Sequence, residues 1–243
     1  MGKKIVLIIL AVVVIGAAGF VVWDKVLNTE QKDNKPVTEK DTKEEQNDLE
    51  EPENDDYKEA YLKVIDETEK EYPEEEIKYD LIYFNDDDIP DLVLGHEGFW
   101  VSLYIYDNGE VYYPVEQWGY GAGGNAGYDY YEKKGVIANC NADMAGLIMS
   151  EVTSILNDRF TFDTFIATEK GADLDPNDPE YEELSKKVKE ELDSYGGYYL
   201  DDHKISKEDY DKALKDFPVL ENLGDSKFLY GTKSLEEIKE ELK

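Results

Sequence analysis

The sequence predicts an α+β fold: a largely antiparallel sheet of about seven strands flanked by helices, behind an N-terminal transmembrane helix and a disordered acidic linker. Three features lead there. Residues 5–23 form one uncharged apolar run. Residues 28–56 carry almost no apolar side chains. Beyond them the hydrophobic period is first helical, then two over a long middle stretch, then helical again. The expected division is an anchor at 1–27, a linker at 28–56 and one extracytoplasmic domain at 57–243. The last is long enough to bury a full core.

The apolar run IVLIILAVVVIGAAGFVVW has nineteen residues, and at about 1.5 Å per residue such a helix crosses the hydrocarbon core of a bilayer. Lys3 and Lys4 precede it, which keeps the N-terminus in the cytoplasm and sends the rest of the chain outside. A cleaved signal peptide has a shorter apolar core and a small-residue cleavage site. Here the run continues past Ala17-Ala18-Gly19 to Trp23. No cysteine follows for acylation. The reading is a single-pass cell-membrane protein. The linker cannot bury enough surface to offset the entropy of ordering, so it is read as an extended tether.

In the domain, Tyr57, Ala60, Tyr61, Val64 and Ile65 share one helical face over residues 56–71, and Pro73 ends that helix. Ile77, Tyr79 and Leu81 then alternate with charged neighbours. DLVLG (91–95) is a short apolar strand, and residues 99–106 alternate again. Asp107-Asn108-Gly109 marks a hairpin, because Asn and Gly tolerate positive φ. Residues 110–115 return from it. Residues 135–139, 147–156 and 160–168 continue the strands, with a turn at Asn157-Asp158. Tyr181, Leu184, Val188, Leu192 and Tyr195 lie on one helical face that Gly196-Gly197 stops. Ser206 to Asp209 and Ser234 to Glu237 read as capping boxes of two further helices.

Charge narrows the function. There are 58 acidic and 26 basic residues, formally −32, and Arg159 is the only arginine. Such a chain repels phosphate, so no nucleic-acid partner is expected. Cys140 is the single cysteine, which rules out an internal disulfide; beside Ala138 and Ala142 it reads as a small packed residue. The glycine-rich segment GYGAGGNAGYDYY (119–131) is not a phosphate loop, since no GK[ST] follows. Trp118 just before it, with Tyr120, Tyr128 and Tyr130 within it, are candidate ligand-binding residues on an aromatic rim. The alternative is half-buried strand tyrosines.

The sharpest local signal is YFNDDDIPDL (83–92). Calcium loops place oxygen ligands at alternate positions. Asn85, Asp87 and Asp91 fall at such positions, with the Ile89 carbonyl between them, and are the candidate metal ligands. With its preceding helix and following meander, this segment resembles uncharacterised surface proteins and lipoproteins of Gram-positive bacteria, which carry a D-x-[DN]-x-D-G-x-P-E-L loop similar to FG-GAP and dockerin-type calcium modules. The resemblance covers about residues 57–115, with echoes at 130–135 and 204–214. It implies a surface location and calcium as the one possible cofactor. The chain departs from the pattern where Tyr83 replaces the first aspartate, Asp88 replaces the turn glycine and Leu94 stands at the twelfth position.

His96 and His203 are far apart, and no nucleophile motif accompanies them. The leading expectation is a non-enzymatic domain that binds a protein or cell-wall ligand. A calcium-stabilised module and a glycan hydrolase with a carboxylate pair are the alternatives.

Overall fold

The computed structural model describes residues 56–243, so the anchor and nearly all of the linker lie outside the described residues. Among the described residues no helix is long and apolar enough to cross a membrane. The chain enters as helix α1 (Asp56–Glu71), which carries Asp56 and Glu59 in its first turn and Lys70 in its last, matching the helix dipole. Four strands follow: β1 (Ile77–Ile82), β2 (Asp91–His96), β3 (Trp100–Asp107) and β4 (Glu110–Gly119). They form an antiparallel meander in the order β1-β2-β3-β4. Asn108 and Gly109, with φ of 49° and 90°, make the β3–β4 turn, the positive-φ pair that a tight hairpin demands.

The single sheet expected from the sequence is two. The second is built from β5 (Asp129–Tyr131), β6 (Val136–Asp143), β7 (Ile148–Leu156), β8 (Phe162–Lys170), β9 (Gly197–Leu200), β10 (His203–Ile205) and β11 (Ser226–Phe228). Its order is β10-β9-β8-β7-β6-β5-β11, antiparallel throughout. Helix α2 (Tyr181–Tyr195) lies against β8, and α3 (Lys207–Leu214) against β9. Helix α4 (Leu235–Glu241) closes the chain, and its capping box from Ser234 to Glu237 is complete.

Burial explains the layering. Tyr79, Leu92 and Leu94 on one face of the first sheet pack with Tyr61 and Ile65 of α1 and Ile238 of α4. Val93, Val101, Leu103 and Ile105 on the other face pack with Tyr130 and Ile137 of the second sheet. Strand β2 is thus covered on both sides, which is why DLVLG is a continuous apolar run and not an alternating one. The outer face of the second sheet buries Val136, Ile155 and Phe165 beneath α3 and a 3₁₀ turn at Pro218–Asn222. The C-terminal segment binds the edge of β1, where the Tyr79 N–H donates to the Lys233 carbonyl at 3.0 Å. Gly231 permits that approach: a Cβ there would lie 2.3 Å from the Lys78 carbonyl carbon.

Candidate functional site

The Asp-rich loop leaves β1 as its backbone turns toward β6. The Lys133 N–H donates to the Tyr83 carbonyl at 2.9 Å and the Gly135 N–H to the Phe84 carbonyl at 2.8 Å. Phe84 is fully buried and seats this corner in the core between the sheets. Asp91 starts β2, and its Oδ2 accepts the Phe84 N–H at 2.8 Å. Asp87 Oδ1 accepts the Ile89 N–H at 2.9 Å, and its Oδ2 accepts Asn85 Nδ2 at 2.6 Å. The loop is therefore a turn held by its own Asx hydrogen bonds.

Its electrostatics follow from depth. Asp91 is 1 % exposed. Burial pushes its carboxyl up to about 8; the Phe84 N–H opposes the shift and Asp87 adds to it. Burial also drives the Tyr61 phenol well above its usual range, with Asp91 contributing. At the rim the Lys133 ammonium sits 2.6 Å from Asp88 Oδ1 and 5.2 Å over the Tyr83 ring. Hydrogen bonding to that ammonium holds Asp88 below the usual carboxylate range.

Asn85, Asp87 and Asp91 are thus in one loop, and they fit a calcium shell only in part. Calcium takes six to eight oxygens. These three residues offer two carboxylates, both already accepting hydrogen bonds, and an amide oxygen, Asn85 Oδ1, that is buried with no partner among the described residues. Asp88, in the position of the turn glycine, is not among the residues with positive φ. Among the described residues no cluster of three His, Cys, Asp or Glu side chains could hold a metal.

The aromatic residues divide. Tyr130 is buried between the sheets and presents no ring to a ligand. Trp118 and Tyr128 pack half-buried against the same core, their ring centroids 5.3 Å apart. Tyr120 packs half-buried against that core as well and lies 6.0 Å from Phe228, which in turn lies 5.0 Å from Tyr230. Strand alternation explains the division: Tyr130 points between the sheets while its neighbours Asp129 and Tyr131 point out. The glycine-rich loop is pinned to β6. Asn139 Nδ2 donates to Asn125 Oδ1 at 2.9 Å and to the Gly127 carbonyl.

The feature that sequence reading missed lies on the outer face of the second sheet. Ala138, Glu151, Thr153 and Ala167 project there from β6, β7 and β8. They floor two adjoining depressions of about 390 and 400 Å³ that share Ala138, Glu151 and Thr153. Phe228 borders one end; Tyr198 of β9, with Leu214, Leu220 and Leu223, borders the other. Together they form a trough. Cys140 lies on it and is exposed, not packed as expected, because α3 and the 3₁₀ turn cover the sheet nearer Val136 and Phe165. The small residues Ala138, Cys140 and Ala142 at alternate positions were the available signal, but spacing alone does not say which face a helix will leave bare.

The trough is acidic. Asp129 accepts Ser226 Oγ at 3.1 Å, and Glu169 accepts the Tyr198 hydroxyl. Glu151 is exposed and takes no hydrogen bond and no ion-pair partner among the described residues. A larger hollow of about 720 Å³ lies beside α2; of its charged lining residues Lys170, Asp173, Lys189 and Asp193, the first two are paired at 2.6 Å. No protein-family model, curated protein or solved structure matches this chain.

Proposed function

We propose that this chain is a membrane-tethered, extracytoplasmic, non-enzymatic binding domain, with the trough as its ligand surface. The observation that carries the reading is the part of the outer face of β6–β8 that α3 and the 3₁₀ turn leave uncovered, floored by small side chains and holding a carboxylate, Glu151, with no partner among the described residues. An open, concave, mixed apolar and charged surface suits a protein or polymer ligand better than an enclosed small molecule. The uncharged run at 5–23 and the acidic stretch at 28–56 supply the anchor and the tether. Protease added to intact cells that produce the full chain is expected to cut within 28–56 and release the folded domain into the medium. A chain that stays whole until the cells are lysed would contradict the reading.

A second reading is a calcium-binding structural module. It is favoured by one atom, Asn85 Oδ1 beside Asp87, which has no partner among the described residues. Calorimetric titration with calcium tests it, and no heat at millimolar calcium ends it.

A further inference from the structure

We infer that the trough takes an extended peptide segment with amines on alternate residues. The inference rests on the trough being the ligand surface and names its ligand. Three carboxylates line the trough on three strands: Asp129 on β5, Glu151 on β7 and Glu169 on β8. The registers place Asp129 opposite Ala138, Ala138 opposite Thr153, and Glu151 opposite Ala167, two residues from Glu169. With strands about 4.8 Å apart and residues about 3.4 Å apart, successive carboxylate positions are roughly 8–12 Å from one another. An extended peptide repeats its side chains on one face every ~7 Å, and the flexible lysine stem covers the difference. From β5 to β9 the trough crosses four strand intervals, about 19 Å, which is the length of five or six extended residues.

Charge selects a basic occupant. Glu151 sits near the middle of the floor with no counter-ion among the described residues, and the whole chain carries −32, which draws cations from a distance. The floor of Ala138, Thr153 and Ala167 offers methyl groups to small side chains between the amines. The far end already holds an ammonium of this kind: Lys207 lies 4.9 Å over the Tyr198 ring and 3.0 Å from Asp211. Phe228 offers a ring at the other end.

Cys140 on the trough provides the readout. The purified full chain in neutral detergent micelles is treated with a maleimide while acetyl-Lys-Ala-Lys-Ala-Lys-amide is added to millimolar concentration. The peptide is expected to slow labelling of Cys140, whereas the same peptide with Glu for Lys leaves the rate unchanged. Glu151→Gln should weaken that protection about two- to fivefold, the worth of one exposed ion pair, while Glu183→Gln on α2 leaves it intact. No slowing by the lysine peptide, equal slowing by both peptides, or equal loss in both variants would overturn the inference. Spermidine protecting as well as the peptide would reassign the trough to small amines and overturn it too. Because the purified chain is used, these outcomes are independent of where the domain resides in the cell.

Discussion

Asp91 shows how one carboxyl can serve structure at a cost that depends on pH. Its folded form keeps the proton up to about pH 8, whereas an unfolded aspartate loses it near pH 4. Between those values unfolding releases a proton, so stability contributed by this group is full below about pH 4 and falls as pH rises toward 8. The slope is at most about 1.4 kcal/mol per pH unit, and above pH 8 the loss is constant. Asp91→Asn keeps an oxygen for the Phe84 N–H and removes the titration. Its stability relative to the parent is expected to grow from about pH 4 to pH 8 in denaturant melts run in chelator; a pH-independent difference would contradict this. The loop's charges also illustrate what sequence could show. The spacing of Asn85, Asp87 and Asp91 was legible as one acidic segment between two strands. The ammonium that answers Asp88 comes from Lys133, 45 residues away, and no local pattern carries that pairing.

The elements most legible in the sequence were those fixed by short-range chemistry. Helix α1 ends where its periodic face stops, the β3–β4 hairpin turns at Asn108-Gly109, and α4 begins at the Ser234 cap. Ser234→Ala is expected to cost about 1 kcal/mol, the usual worth of such a cap, in thermal or denaturant unfolding. Elements made by distant pairing were not legible. β5 and β11 are three residues each, and they join across 97 residues through Ser226 and Asp129. That pairing, with the inserted β9 and β10, extends what looked like the end of one sheet into a second. The close approach of the C-terminal segment to β1 belongs to the same class. Gly231→Ala must push Lys78 and Gly231 apart and is expected to destabilise by about 1–3 kcal/mol, as overpacking does.

For the whole molecule, the shared core between the sheets decides cooperativity. Ile137 of β6 sits in that core with Leu103 and Val115 of the first sheet. Ile137→Ala should lower stability by about 2–5 kcal/mol, with tryptophan fluorescence, from Trp100 and Trp118 in the first sheet, and far-UV circular dichroism shifting together. Separate transitions would mean that the sheets unfold independently. Among the described residues, the trough on the second sheet is left uncovered beside α3 and the 3₁₀ turn, and the anchor and tether suggested by residues 5–23 and 28–56 would display it outside the cell. One residue reports on both statements, since Cys140 is the only cysteine and lies exposed on the trough. Intact cells producing the full chain are treated with a membrane-impermeant maleimide, with Cys140→Ser as the blank. The expected result is labelling at Cys140 in intact cells at the rate seen after lysis. Labelling only after lysis would place the domain inside and contradict the proposal; no labelling of the purified native chain would show that the trough is closed.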